Sequence, residues 1–292
     1  RKDFVRIGVF GDWDKPYLTM NFGVEADIIR ALGKIVANGH LVKGYKPVYW
    51  SVVGGSALAE AEVEYQDKTS FTIDVAYPVT DEVQLSKVAK AFGELNGEGQ
   101  VNVLIWTTTP WTIPSSQAIS MGSEVAYSLV QVATENGPRR LICSQVLLES
   151  VMARLEIEDY TMLASCVGEQ LEGVIAKHPL YEREIPILLG DHVTTDAGTG
   201  CVHTAPDHGV EDFVVAKKYG IDTLNYVMDN GTFRDDVELF AGEHVYKVDQ
   251  HVVDVLSERG HLMASGKITH SYAHFWRTTT SFMYMATTTC LV

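Results

Sequence analysis

Apolar and polar positions repeat at two different periods along this chain. Between Asn21 and Gly39 the apolar residues Phe22, Ile28, Ile29, Leu32, Ile35 and Val36 fall at helical spacing, with Gly39 as a stop. The spacing predicts a helix over 23–38, preceded by a loop at Gly11–Pro16. From Ala61 to Val79 the period falls to two. Val63, Tyr65, Phe71, Ile73, Val75 and Tyr77 alternate with polar residues, as strands require. Asp81–Gly99 is charged, helical in its first part and then Gly-rich, and reads as a surface insertion. Val101–Trp106 is a continuous apolar strand that runs into a Thr-rich loop. Ala126–Val132 and Arg140–Cys143 read as a hairpin through Asn136-Gly137.

Farther along, Gln145–Leu155 reads as helical, with strands near Thr161–Val167 and Ile185–Leu189. The turn-rich segment Asp196–Gly200 leads into a short strand, Cys201-Val202-His203. Helices are predicted over Val210–Tyr219, closed by Gly220, and over Val245–Glu258, closed by Gly260, with a turn at Asp229-Asn230-Gly231 between them. Ile268–Val292 has aromatic, Thr-rich strand character. Strands and helices interleave irregularly, so the class is α+β or mixed α/β with a strand-rich centre.

Composition narrows this picture. The chain has 292 residues, 46% hydrophobic and 21% charged, enough for one large domain or two modest ones with a real core. No stretch approaches the roughly 20 apolar residues of a membrane span. Arg1-Lys2-Asp3-Phe4 is not followed by an apolar segment, so no signal peptide is expected, and the lack of an initiator Met suggests a cut from a longer chain. Cys143, Cys166, Cys201 and Cys290 are scattered, which favours free thiols in a reducing cytosol over a zinc site or a disulfide framework. The net charge is −15. A protein that grips RNA through phosphates should be basic. Either nucleic acid is not the ligand, or most of the RNA-binding surface lies elsewhere in a parent chain.

Three constellations carry candidate chemistry. In Trp106–Pro114, three hydroxyls follow a buried strand and a proline stiffens the loop. Such a loop can orient a water or an ester oxygen, although threonines also suit strand ends. In Gly198–Asp212, glycines flank a short strand, and His203 and His208 stand near Asp207, Glu211 and Asp212. A strand–loop–helix junction dense in titratable groups suits a binding site. Acidic residues in a first helical turn are equally favoured by the helix dipole. In His270–Arg277 the two histidines would meet only on a helix, and the aromatics favour a strand.

Together these segments resemble one family, the isoleucyl-tRNA synthetases, in the proofreading part of the chain. Trp106–Pro114 is similar to their Thr-rich editing peptide and Gly198–Phe213 to their second editing motif. Thr109 before the proline and Trp111 after it favour the isoleucyl branch over the leucyl and valyl ones, which typically carry Arg before the proline. Arg1–Thr19, Ser56–Tyr65, Gly190–Val193 and His270–Tyr272 extend the likeness over nearly the whole chain. The resemblance implies a strand-rich α+β editing domain, a distorted β-barrel with packed helices, beside a strip of Rossmann-like catalytic fold. It divides the chain into a catalytic-fold fragment (1–50), a stem (51–75), an editing domain (76–265) and a return stem (266–292). The HIGH and KMSKS signatures of ATP binding are absent from this sequence.

What the resemblance implies for chemistry is hydrolysis of valine from Val-tRNA(Ile), whose valine-bearing 3′ acceptor end would be the partner together with the remainder of the synthetase. Thr107, Thr108 and Thr109 would position water and hold the ester, and Asp212 would pair with the substrate ammonium. His203 would form the wall that excludes isoleucine, with Trp111, Ser116, His208 and Thr204 also lining the substrate site. No metal is implied. ATP and Mg2+ would serve only the parent enzyme, and the setting would be cytoplasmic, away from membranes. The family usually has Asn at the position of Ser116, Arg at that of Gln117, and often Gly at that of Asp207. Ser51-Val52-Val53-Gly54 stands where a Cys-x-x-Cys pair is expected. The other reading is an insertion that binds the acceptor end, or is structural, without turnover.

Overall fold

The computed structural model describes the backbone of residues 1–291 and the side chains of residues 1–287. Cys290 lies outside the side chains so described. In chain order the helices and strands begin with α1 (Lys2–Arg6), α2 (Phe22–Ala37), β1 (Val42–Ser51), β2 (Ser56–Leu58), β3 (Val63–Val79), α3 (Glu82–Phe92) and β4 (Gln100–Thr107). There follow β5 (Ala118–Met121), β6 (Ala126–Thr134), β7 (Gly137–Ser144), α4 (Leu148–Arg154), β8 (Tyr160–Val167), β9 (Ile175–Lys177) and β10 (Glu184–Leu189). The chain ends with β11 (Cys201–Thr204), α5 (Val210–Lys218), α6 (Asp249–Glu258), β12 (Leu262–Phe275), β13 (Thr280–Ser281) and β14 (Met283–Leu291).

These elements fall into two compact units, one built from Arg1–Tyr45 with the C-terminal residues, the other from Lys46–Thr287. In the first, α2 forms as its spacing predicts, yet none of its residues is buried. The second unit carries the core. Its largest sheet runs β13-β12-β3-β4-β7-β6-β8. The apolar run of β4 is explained by its central place: Val101, Val103, Leu104 and Ile105 are fully buried between β3 and β7. A strand covered on both faces has no use for alternation. A four-stranded sheet, β11-β5-β10-β9, packs beside it, and β14-β1-β2 forms a third. Helix α6 adds Val252, Val253, Val255 and Leu256 to the core. Each fully buried side chain of this size contributes about 1.5–3 kcal/mol.

The strand-rich mixed α/β class is therefore the one expected, but the sheets are open where a distorted barrel was anticipated. Asp81–Gly99 is no mere surface insertion. Asp81 caps α3 by accepting the Val83 and Gln84 N–H groups, and Val88, Ala91 and Phe92 face the core. The β6–β7 hairpin turns at Glu135-Asn136, because Thr134 pairs with Gly137. Helix α4 starts at Leu148, later than the apolar spacing suggests. Before it, the Ser144 and Gln145 N–H groups are bound to the Thr199 and Ala126 carbonyls. Likewise α6 begins at Asp249, after a turn in which the Lys247 and Val248 N–H groups bond the His244 carbonyl and the Val245 N–H bonds that of Gly231. His270 and His274 lie on a strand, β12, as the aromatics indicated.

Candidate functional site

Strand β4 delivers Thr107 at its end, opposite Ile73 of β3. The Thr107 hydroxyl accepts the Thr109 N–H at 3.2 Å and lies 3.1 Å from the Thr109 hydroxyl. This short side-chain-to-backbone turn ends the strand. Pro110 then opens a tight 3₁₀ turn over Pro110–Ser115, a place where its missing N–H costs nothing. Inside that turn the Thr112 hydroxyl donates to the Thr109 carbonyl at 2.8 Å. Having spent its proton there, Thr112 Oγ1 accepts from His203 Nε2 at 3.2 Å. The same oxygen stands 3.4 Å from Thr109 Oγ1. His203 is thus an Nε2–H imidazole. Its Nδ1 is buried with no hydrogen-bond partner. Burial, then the nearby His208, pulls the His203 pKa down to about 4, so the ring is neutral.

The back of the loop is tied down. The Trp111 N–H donates to Asp249 Oδ1 at 3.1 Å, across 138 residues. His178 Nε2 donates to the Ile113 carbonyl, and Arg183 holds the carbonyls of Pro114 and Ser116. The Trp111 ring meets the His208 ring edge-on at 4.7 Å. His208 has both nitrogens engaged, Nδ1 donating to the Tyr284 carbonyl and Nε2 facing the Ser115 hydroxyl. With its ends fixed this way, the loop presents Thr108 and Thr109 half-buried while Thr107 lies just below.

Strand β11 brings the second motif alongside, His203 pairing with Ile119 of β5. Two positive-φ glycines make the approach. At Gly200 a Cβ would stand 2.5 Å from the Ser144 Cβ, and at Gly198 one would stand 3.3 Å from the Trp106 ring. The Gly198 carbonyl accepts from Arg154, whose guanidinium also grips Asp74 with bonds of 2.7 and 2.8 Å. Asp74 is 1% exposed and lies opposite Trp106 in the β3–β4 ladder. One bidentate ion pair thereby joins α4, β3 and the glycine turn beneath both motifs.

Asp212 sits in the first turn of α5. Its Oδ2 accepts the Ala205 N–H at 2.9 Å, two residues past His203. Oδ1 faces His192 Nε2 at 4.0 Å. The carboxyl is 18% exposed. Burial pushes its pKa up to about 7, against the Ala205 N–H, with Glu211 adding to the rise. Asp207, fully buried, does different work: its carboxylate accepts the Leu224 and Asn225 N–H groups, each at 2.9 Å.

The structure thus brings Thr107, Thr109 and His203 into one network with Thr112, and Asp212 joins through the His203–Ala205 step. Thr108 flanks it. The Trp111 and His208 rings meet edge-on behind the loop. Ser116 and Thr204 are fully buried, bonded to Tyr77 and Ser120 respectively. Neither presents a hydroxyl to a ligand in this arrangement, because motif membership does not reveal which side of the turn a residue faces. Thr112, His192, Asp249 and the Asp74–Arg154 pair were not singled out from the sequence. Thr112 and His192 lay within quoted segments, whereas the others sit in elements with no motif.

The family model "tRNA synthetases class I (I, L, M and V)" matches residues 1–287. The chain belongs to this class I tRNA synthetase family. It is 63% identical over 287 residues to an isoleucine–tRNA ligase of Hahella chejuensis and 59% identical to one of Teredinibacter turnerae. Each comparison covers 98% of this chain and 30% of the relative, so the chain spans about a third of the length of these synthetases. Among solved structures its fold is like that of GlLeuRS-CP1, with a TM-score of 0.53, 17% identity, and coverage of 65% of this chain and 97% of that one. It is also like the editing domain of Plasmodium knowlesi (P. knowlesi) cytosolic leucyl-tRNA synthetase, with a TM-score of 0.52, 13% identity, and coverage of 67% and 96%. At those identities the likeness concerns the fold. Among the described residues no helix is long and apolar enough to cross a membrane.

Proposed function

We propose that this class I synthetase chain carries a post-transfer editing site that hydrolyses the ester of Val-tRNA(Ile). One observation carries the reading. A semi-buried carboxyl, Asp212, is fixed by the N–H of Ala205, two residues along the chain from His203, which bonds the threonine hydroxyl network. Such a carboxyl is poised for a cation. An ammonium beside it lowers its pKa and holds it ionised, and the charge-assisted bond orients as well as binds. The α-ammonium of an esterified amino acid is the cation of matching size.

In this reading the valyl ester lies across Thr107–Thr109. A water held by the hydroxyls adds to the carbonyl carbon, the bond to the ribose oxygen breaks, and that oxygen takes a proton. His203 is buried and, with a pKa of about 4, a weak base, so it serves as wall and not as base. Positioning supplies the rate. The sieve is needed because one methylene separates valine from isoleucine, worth only about 1–3 kcal/mol in a single pocket, as isoleucyl enzymes themselves exemplify. Hydrolysis here draws on no cofactor. ATP and Mg2+ belong to the activation step of a whole isoleucine–tRNA ligase, in the cytoplasm. With a net charge of −15 the chain contacts few phosphates, and the remainder of the synthetase supplies most of the grip on tRNA(Ile).

The test is deacylation by this 292-residue chain of Val-tRNA(Ile) and Ile-tRNA(Ile), followed by release of the labelled amino acid. Loss of valine with retention of isoleucine is expected. If neither ester is cleaved above background, the chain is instead an insertion that binds the acceptor end, or is structural, without turnover.

A further inference from the structure

The Asp212 carboxyl has a second neighbour that the editing reading leaves unused. His192 stands on the turn after β10, where the Gly190 N–H is bound to the Met121 carbonyl and the Val193 N–H to that of Gly190. Its Nε2 is buried without a hydrogen-bond partner and faces Asp212 Oδ1 at 4.0 Å. Both side chains are less than a fifth exposed, at 19% and 18%. Each occupies space left by a glycine. A Cβ at Gly190 would lie 2.6 Å from His192 Cε1, and one at Gly209 would lie 2.9 Å from the Asp212 Cγ. The two backbones are thereby shaped to let this imidazole and this carboxyl approach.

We infer that His192 is a positioning residue for Asp212, donating its Nε2–H to Oδ1 when the carboxylate is charged and receives the substrate ammonium. This rests on the editing reading. A hydrogen bond of this kind spans about 2.7–2.9 Å, roughly 1 Å less than the distance observed. While Asp212 is protonated it has little need of a second donor. Once ionised, it keeps one N–H, from Ala205, for a full negative charge, and an anion so buried gains most from another. His192 suits the task because it donates without cancelling the charge. Burial lowers its pKa, against Glu211 and Asp191, which raise it. A neutral imidazole steadies the carboxylate and leaves its charge to the ligand, where a lysine at the same place would compete with the ammonium.

Two measurements on the 292-residue chain test this. The first uses no substrate: NMR titration of the His192 ring signals in the wild type and in Asp212→Asn. A step in the His192 signals as Asp212 ionises, absent from Asp212→Asn, supports the pairing. Identical His192 titrations in both proteins overturn it. The second is deacylation of Val-tRNA(Ile) by His192→Phe and His192→Gln. The phenylalanine variant is expected to raise KM about tenfold with kcat within about twofold, the signature of lost uniform binding. Its acid limb in kcat/KM should move upward by about one pH unit. The glutamine variant, which keeps an N–H donor, should recover most of KM. A His192→Phe enzyme with unchanged KM and pH profile overturns the inference while leaving the editing reading intact. If no variant and no wild type deacylates, the editing reading fails, and the NMR step alone decides whether the pair exists.

Discussion

The two halves of the site hold their ligand groups by different means. In the Thr-rich half hydroxyls and backbone groups satisfy one another, and the charged groups Asp249 and Arg183 stand behind the loop, holding its backbone together with His178. The other half is titratable: the desolvated Asp212 carboxyl, its pKa raised to about 7, changes charge with a small change in pH or ligand, while burial lowers the pKa of His203 and of His192 and favours their neutral forms. The contrast separates two duties. In the proposed reading, water and ester are oriented by threonine hydroxyls, which do not titrate between pH 5 and 9. In the same reading the ammonium is recognised by Asp212, whose pKa burial raises to about 7. What joins the two is the buried Asp74–Arg154 pair, which touches the strand under one half and the glycine turn of the other.

That joint gives the largest expected effect. Arg154→Ala leaves Asp74 buried and unpaired, and should lower unfolding free energy by about 3–5 kcal/mol, read from the urea midpoint. A loss near zero would mean that the halves are joined by packing alone. Next is Asp212→Ala, expected to cut kcat/KM for Val-tRNA(Ile) about a hundredfold or more, since a hydrogen-bonded charge partner is truncated. In the wild type, kcat/KM should fall as pH drops below about 7, because Asp212 in the free enzyme must lose its proton to bind the ammonium. His203→Ala should open the wall and permit cleavage of Ile-tRNA(Ile), changing Val/Ile discrimination by about tenfold to a hundredfold. Continued protection of Ile-tRNA(Ile) would remove His203 from the sieve. Thr109→Val should lower kcat by about tenfold with the acid limb unmoved, in contrast to any change at Asp212. A shifted limb would dissolve the division of labour.

The smallest effect concerns stability. The folded pKa of Asp212 lies above its ordinary 3.8, so its stabilising contribution is complete below about pH 4 and is lost as pH rises to about 7. Asp212→Asn removes the buried charge, and should raise stability at pH 8 by about 1–2 kcal/mol with no gain below pH 4. Thermal unfolding at the two pH values checks the sign.

Much of this was legible in the chain, for physical reasons. Strand β4 could be read because a doubly covered strand is continuously apolar, and the two motifs could be read because their residues are contiguous. The tethers were not. Asp74 meets Arg154 across 80 residues, and Asp249 meets Trp111 across 138, with no periodicity to announce either. Ser116 and Thr204 show the converse. They belong to the motifs, but the tight turn and the β11–β5 ladder point them into the core. Helix α2 shows a third case, in which spacing predicts the helix correctly and says nothing of whether its apolar face is covered.

The ribbon formed by β3 and β12 carries a temporal consequence. Thr69 meets Thr269, 200 residues later, and β3 is also the strand against which β4 and its threonine loop are laid. At about 5–20 residues per second of synthesis, β3 waits roughly 10–40 seconds on the ribosome for that partner. Through that interval one edge of the central sheet is open to any other strand. The closing step comes late and over a long loop, which favours slow folding. The nascent chain therefore completes this sheet only when β12 arrives, after Thr107 and Asp212 have both been made.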